Sequence, residues 1–225
     1  MYVPVTPAQP AAPAVPLIPI EITAGGASPG APDATGLATL GSAPKHVSLT
    51  VRDPELNVLA DHTSTIAGAL KPGLSGEKIA LQALGAHGWH TIAGTRTGSD
   101  GRYRLRYQPR RDGSERVRLL FVGDSSILPA RRPLGRLNVY RLAGASWYGG
   151  AGNLACGGEL TSSTMGVANK TLPCGTLVTL RYGDRTVRVR VIDRGPYIAG
   201  REFDLTEATK QALGFGDTGD VWSTR

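Results

Sequence analysis

The feature that most constrains this chain is an alternating strand pattern that runs directly into a bent loop carrying a carboxylate. Residues 187–191 alternate valine with arginine, and residues 193–197 (DRGPY) follow almost at once. A period of two predicts a strand with one apolar and one polar face, and glycine followed by proline ends it. A second carboxylate, Asp204, lies eleven positions after Asp193, within residues 203–206 (FDLT). The two acids are therefore expected on either side of a short loop beside a β wall.

Composition favours a mainly β protein. The chain has 225 residues with 30 glycines and 16 prolines, which is typical of turn-rich β structure and allows two domains of about 100 residues each. No apolar run approaches the roughly 20 residues of a membrane span. No basic residue precedes the first apolar stretch after Met1, and prolines interrupt it, so no secretory signal is visible. Either such a signal lies outside this sequence or export is not encoded in it.

The first segment, residues 1–45, has a composition of its own. Its prolines recur at every third position from Pro4 to Pro19, and the rest is rich in glycine, alanine and serine. A polyproline II helix has three residues per turn, so the prolines would line one edge of an extended rod. We expect either an extended spacer followed by a flexible linker, or a disordered tail.

Residues 46–141 show the patterns of a small β-sandwich. Apolar and polar side chains alternate at 47–51, 102–107 and 117–121, and the pattern of residues 97–103 is similar to that of bacterial immunoglobulin-like and transthyretin-like modules. Residues 46–140 carry 14 basic and 8 acidic side chains. The arginines form either the solvated face of a strand or a cationic surface for an anionic wall polymer. No nucleic-acid motif accompanies the charge, so we predict no nucleic-acid partner.

The residues that could bind a metal are few. Cys156 and Cys174, the two cysteines of the chain, lack C-x-x-C spacing and nearby histidines, so they form either a disulfide or two buried free thiols. A disulfide would indicate an exported protein. His87 and His90 would face opposite sides of a strand and have no obvious third ligand. We predict no metal site.

Four motifs, in a fixed order, carry a family resemblance. They are residues 145–149 (ASWYG), 170–176 (KTLPCGT), 193–197 and 203–206. Together they resemble the double-psi β-barrel of rare lipoprotein A (RlpA), a family of bacterial septal and cell-wall lytic transglycosylases, and more distantly the expansin barrel. The resemblance covers residues 142–225 and implies a six-stranded double-psi β-barrel with one short helix.

The resemblance also implies a function. It implies a secreted or envelope-associated protein that acts on peptidoglycan glycan strands, without a cofactor, and we expect a monomer. Asp193 would be the acid that protonates the leaving oxygen, since an apolar wall can keep a carboxylic acid protonated. Glu159 or Asp204 would stabilise positive charge on the sugar. The candidate substrate-binding residues are Ser146, Trp147, Tyr148, Asn169, Arg194 and Tyr197.

Several of these residues have a structural alternative. Asp204 with Glu207 could cap a helix, and Asp193 with Arg194 could tie the loop to the barrel through an ion pair or a hydrogen-bond network. Trp147 and Tyr148 could form a platform for a sugar or belong to the core. Ser146 could donate a hydrogen bond to Asp193.

The sequence also departs from the family pattern. Leu160, Thr161 and Ser162 lie where such barrels usually carry an aspartate, and Asn169 replaces a histidine. The last domain contains no histidine at all, so any catalysis must depend on carboxylates. A non-catalytic, expansin-like module that binds or loosens wall polysaccharide, and a purely structural wall protein, are therefore the alternatives.

Overall fold

A computed structural model describes residues 43–225, so all but the last three residues of the predicted N-terminal linker lie outside the described region. The described residues form fifteen strands and one helix. In chain order they are β1 (Ser48–Arg52), β2 (Asn57–Leu59), β3 (Ser64–Lys71), β4 (Lys78–Gly85), β5 (Gly88–Arg96), β6 (Arg102–Tyr107), β7 (Gly113–Phe121), β8 (Ala130–Tyr148), β9 (Gly152–Asn153), β10 (Glu159–Leu160), β11 (Val167–Asn169), β12 (Leu177–Tyr182), β13 (Arg185–Asp193), β14 (Phe203–Thr206), α1 (Glu207–Leu213) and β15 (Thr218–Ser223). No helix of this region has the length and apolarity that a bilayer span requires.

The N-terminal half of the described region consists of two sheets over one apolar core. Strands β1, β3 and β6 form an antiparallel sheet, and β5, β4, β7 and the first half of β8 form the other, with β2 alongside β8. Ile66 and Leu105 from the first sheet pack in one cluster with Leu81 and Leu119 from the second, and all four are fully buried. Burial stabilises the fold by about 1.5–3 kcal/mol for each such side chain. The alternation seen in the sequence thus corresponds to strands with one face in this core.

Strand β8 connects the two halves of the molecule without a linker. It is 19 residues long, and the predicted boundary between residues 141 and 142 falls inside it. Its first part pairs with β7, and its last part, residues 141–148, pairs with β14 and β15. Two separate hydrophobic cores therefore share one continuous strand.

The C-terminal half is a closed barrel of six strands in the order β8, β14, β11, β13, β12 and β15. The ring closes because β8 pairs with β14 on one side and with β15 on the other. The β8–β14 and β11–β13 pairs are parallel, and the other four are antiparallel. Val178, Leu180, Val191, Phe203 and Leu205 fill the interior. The predicted barrel with one short helix is confirmed.

The helix α1 begins at a different residue from the one expected. Its N-cap is Thr206, whose side chain accepts a hydrogen bond from Thr209 N, and Gly214 in the left-handed conformation ends it. Asp204 lies inside β14, two residues before this cap. The interpretation of Asp204 and Glu207 as a capping pair is therefore wrong, because the β14 ladder with β8 and β11 continues through Asp204.

Candidate functional site

Two carboxylates lie in one row across four adjacent strands of the barrel. Asp193 on β13 pairs with Ala168 on β11, Ala168 pairs with Asp204 on β14, and Asp204 pairs with Ser146 on β8. Directly paired residues in a sheet point to the same face. We refer to these four residues as the acid row. Two strand spacings put the Cα atoms of the two aspartates about 10 Å apart.

The acid row lies on the outer face of the barrel. Asp204 is between Phe203 and Leu205, which both point into the core. Ala168 follows Val167, which is also in the core. Because successive side chains of a strand alternate between faces, Asp204 and Ala168 point outwards. Ala168 is nevertheless only 3% exposed, so it forms the floor of a recess rather than part of an open surface.

A β-bulge turns Asp193 towards this face. Val167 pairs with Val191 and Ala168 pairs with Asp193, so Ile192 is an extra residue on β13. Without the bulge, Asp193 would alternate in step with Val191 and point into the core. Bulges that redirect a side chain are common next to active sites.

The two aspartates have different hydrogen-bond partners. Ser146 Oγ donates to Asp204 Oδ1 over 2.6 Å. Asp193 Oδ1 accepts from the backbone N–H of Ala155 (2.9 Å) and of Arg194 (2.8 Å), and the Tyr148 hydroxyl lies close to the same carboxylate. The expected bond from Ser146 to Asp193 is therefore wrong, because parallel pairing of β8 with β14 places the serine next to Asp204 instead.

Tyr148 contributes an unpaired donor to the same face. It lies two residues after Ser146 on β8, and its hydroxyl is buried without a partner in hydrogen-bond geometry in the described part of the chain. Burial, followed by the charge of Asp193, its close approach to the hydroxyl and the charge of Asp204, raises the pKa of Tyr148 well above its usual range. The phenol therefore stays protonated. A buried hydroxyl without a partner costs about 1–3 kcal/mol, and a ligand oxygen could remove that cost.

Trp147 and Tyr148 do not form one platform. Neighbouring residues of a strand face opposite sides, and Trp147 contacts the C-terminal segment instead. Its indole Nε1 donates to Asp217 Oδ1 over 2.9 Å, and Lys210 Nζ lies 3.8 Å from the ring centroid. Any stacking of a sugar must therefore use one of these rings without the other.

Asn169 and Arg194 organise the turn beside the acid row. Asn169 Oδ1 accepts from the backbone N–H of Thr171 and Leu172. Arg194 Nη1 donates to the backbone oxygens of Asn169 and Leu172, and Nη2 donates to Cys174 Sγ. The guanidinium forms no ion pair with Asp193 among the described residues, so the ion-pair alternative is wrong. The hydrogen bonds of Asp193 and Arg194 to the loop backbone agree with the other alternative, a structural network that ties the loop to the barrel. A role of Asn169 or Arg194 in binding substrate stays a prediction.

The β9–β10 hairpin lies against Asp193. Cys156 N donates to Ile192 O, and the Cys156–Cys174 disulfide joins the hairpin to the turn that Arg194 holds. The predicted disulfide is confirmed. Closing a loop of this length stabilises the fold by about 3 kcal/mol in the chain-entropy picture.

The remaining candidates are exposed, and no hydrogen bond or ion pair joins either side chain to the acid row in the described region. Glu159 is exposed on β10, and its carboxylate has no hydrogen bond or ion pair in the described region. Tyr197 is 79% exposed on the loop after β13.

The described residues contain no group of three or more histidine, cysteine or acidic side chains that could hold a metal ion. Sequence reasoning missed Ala168 and the Ile192 bulge, which had no signal in the sequence.

A closed six-stranded barrel with an outward-facing pair of carboxylates defines the class of the C-terminal domain, and the comparisons agree. Residues 142–221 match the family model described as lytic transglycolase. The probable endolytic peptidoglycan transglycosylase RlpA of Synechocystis sp. is 36% identical over 123 residues, which are 47% of this chain and 38% of that protein. The endolytic peptidoglycan transglycosylase RlpA of Pseudomonas aeruginosa is 39% identical over 93 residues, 39% of this chain and 27% of that protein.

The C-terminal domain is thus an RlpA-like double-psi β-barrel. The match spans less than two fifths of the length of either relative. Among solved structures, the Streptomyces papain inhibitor covers 38% of this chain and 94% of its own, at 23% identity and a TM-score of 0.31.

Proposed function

We propose that this protein binds peptidoglycan glycan strands along the outer face of the barrel and cleaves them by lytic transglycosylation. The observation that carries the proposal is the acid row, which brings Asp193 and Asp204 to one face with the unpaired Tyr148 hydroxyl beside them. The names of the RlpA relatives support peptidoglycan as the substrate.

In the proposed reaction, Asp193 is the acid and then the base. Its Oδ1 is held by two backbone N–H groups, and the Tyr148 hydroxyl lies close to the carboxylate. Asp193 donates a proton to the glycosidic oxygen between N-acetylmuramic acid and N-acetylglucosamine as that bond breaks. The C6 hydroxyl of the muramic acid then bonds to C1 and returns a proton to Asp193, which closes the anhydro ring without water.

The other groups stabilise the sugar during this step. Positive charge develops on the ring as the leaving group departs. In this proposal Asp204 stabilises this charge, which the hydrogen bond from Ser146 supports, and Glu159 is the alternative acid from the hairpin. Tyr148 would donate a hydrogen bond to a sugar oxygen, because its phenol is protonated and no acceptor in the described region meets it in hydrogen-bond geometry.

A second function is an expansin-like module that binds or loosens wall polysaccharide without cutting it. Two observations favour it: the barrel has no histidine, and the Glu159 carboxylate has no hydrogen-bond donor to orient it in the described region. A purely structural wall protein is the remaining alternative.

Incubation with purified sacculi separates these functions. We expect anhydro-muropeptides, detected by mass spectrometry, from the native chain and none from Asp193→Asn. The matched control is Asp184→Asn, which changes an exposed acid in the turn between β12 and β13 and should leave product formation intact. Co-sedimentation without any anhydro product would favour the binding module. Failure to sediment would leave a structural role.

We also infer that residues 46–141 form an immunoglobulin-like or transthyretin-like sandwich, which the two facing sheets over one core support. A secreted or envelope location is supported by the disulfide, because disulfides persist in oxidising compartments. That the protein is a monomer stays a prediction.

A further inference from the structure

The outer face of the β1–β3–β6 sheet contains a groove that is separate from the acid row. The middle strand, β3, contributes the small residues Ala67 and Ala69 to this face. Arg52 on β1 and Arg104 on β6 both pair directly with Ala67 and therefore stand on either side of it. Arg102 pairs with Ala69 in the next row of the same face. Alanines thus form a floor between arginine walls.

The groove continues beyond these rows. Lys71 lies at the end of β3, and Arg96 contributes from the end of β5. The cavity measures about 850 Å³. Opposing arginines are about 10 Å apart at their Cα atoms, and Arg102 and Arg104 are about 6.7 Å apart along their strand. We call this cavity the arginine groove.

The charge of the arginine groove is largely uncompensated. The groove has five cationic side chains: Arg52, Lys71, Arg96, Arg102 and Arg104. Within the described region Arg102 alone of these five forms a salt bridge, with Asp100 at 3.3 Å, and both side chains of this pair are mostly exposed. A surface pair of this kind contributes little. Arg52, Lys71 and Arg104 have no carboxylate partner in the described region. Like charges gathered along one depression repel each other, and an anionic ligand removes that repulsion.

The alanine floor of the groove has no exposed aromatic ring that could stack on the bases of a nucleic acid. Tyr103 is buried beneath β3, where its hydroxyl donates to Thr50 O over 2.7 Å. The Thr50 hydroxyl is itself engaged with the backbone of Ala69. Proteins that bind single-stranded nucleic acid stack bases on exposed aromatic rings, and this groove offers none. The groove can therefore bind a ligand through charge attraction and through the paired N–H donors of its guanidinium groups.

We propose that the arginine groove binds a linear polymer whose backbone charges are phosphates. The guanidinium group pairs with phosphate oxygens through two parallel hydrogen bonds. A phosphate on the polymer axis can rest on the alanine floor and meet arginines from both walls. In a polymer with carboxylates on side groups, the charges lie away from the axis and reach one wall at a time. The groove would thus hold the protein on a phosphate-bearing matrix.

The test measures binding of the full chain to long-chain polyphosphate, polygalacturonate and single-stranded DNA at low salt. The groove variant is Arg52→Gln/Arg104→Gln. The control is Arg110→Gln/Arg111→Gln, which removes the same charge from an exposed loop outside the groove. Thermal melting of both variants verifies their folding.

We expect the native chain to bind polyphosphate most tightly and to lose affinity as salt rises. The groove variant should lose at least about tenfold in affinity, and the control less than about twofold, since direct guanidinium–phosphate contacts rather than net charge dominate. Equal losses in the two variants would show nonspecific attraction and overturn the proposal. Tighter binding of polygalacturonate or DNA, or no polyphosphate binding, would overturn it as well. Release of anhydro-muropeptides plays no part in this assay, so it is independent of the proposed activity.

Discussion

The acid row of the barrel and the arginine groove of the sandwich are built on the same plan with opposite charge. In each, a small residue on a middle strand, Ala168 or Ala67, lies between two charged residues on the flanking strands. The surroundings differ. The acid row is recessed and its carboxylates accept hydrogen bonds, whereas Arg52 and Arg104 are exposed and unpaired in the described region.

This difference separates two kinds of work. Groups that take part in a reaction must be held in fixed geometry and shielded from water. Groups that attract a charged polymer act through charge, which long exposed side chains supply. The pairing of strands in the sheet thus determines which charged side chains lie side by side. The loops that cover the sheet determine whether these side chains are held in fixed geometry or stay exposed to solvent.

The largest expected effect is that a variant of each surface impairs the function of that surface and leaves the function of the other unchanged. Asp204→Asn should reduce release of anhydro-muropeptides by about 100-fold, because it removes a charge that stabilises the transition state, and leave polyphosphate affinity unchanged. Arg52→Gln/Arg104→Gln should do the opposite. Mass spectrometry of digested sacculi and a polyphosphate titration measure the two effects. If either variant impaired both readouts, the two surfaces would not be independent.

The disulfide should matter for the barrel alone. Cys156→Ser/Cys174→Ser is expected to lower the free energy of unfolding by about 3 kcal/mol. It should also impair cleavage, since the hairpin that donates Ala155 N–H to Asp193 is released from the turn. Urea denaturation with and without reductant gives the measurement. The native chain under reductant should behave like the double variant, and polyphosphate affinity should stay constant.

The two alanine floors should respond differently to a larger side chain. Ala168 is 3% exposed, so Ala168→Leu should destabilise the protein by about 1–3 kcal/mol through overpacking. Ala67 is half-buried in an open groove, so Ala67→Leu should cost less than about 1 kcal/mol while it weakens polyphosphate binding. Chemical denaturation compares the two. Equal costs would show that the acid row is no more recessed than the groove.

Tyr148→Phe should separate stability from activity. Loss of an unpaired buried hydroxyl should leave the free energy of unfolding unchanged or raise it by up to about 1 kcal/mol. Cleavage should fall by about tenfold, as expected for one lost hydrogen bond to the substrate. A clear loss of stability would show instead that the hydroxyl has a structural partner.

The last prediction concerns stability at alkaline pH. Burial raises the pKa of Tyr103 from 10.0 to about 12, so the folded state holds its phenol proton more tightly than the unfolded chain does. Stability should be constant with respect to this group below pH 10 and fall as pH rises from 10 to about 12. Tyr103→Phe should remove this part of the pH dependence of the unfolding free energy, which urea denaturation at several pH values between 10 and 12 measures. The substitution also removes the hydrogen bond to Thr50 O. An unchanged slope would contradict this assignment.

The sequence alone determined the local features. Alternation identified β1, β6, β7 and β13, because each of these strands is long enough to show a period of two. The motifs identified the RlpA-like barrel, and the two cysteines and both aspartates are recognisable as candidates from the sequence.

The tertiary structure alone decided how these parts meet. Strands β11 and β14 have three and four residues, too few to show a period, and yet they close the barrel and carry the middle of the acid row. The register between β8 and β14, which are distant in sequence, pairs Asp204 with Ser146, so Asp204 does not cap the helix. One extra residue in β13, Ile192, turns the side chain of Asp193 outwards. Local sequence cannot specify these outcomes, because a shift of one residue in a ladder reverses the face of every side chain after it.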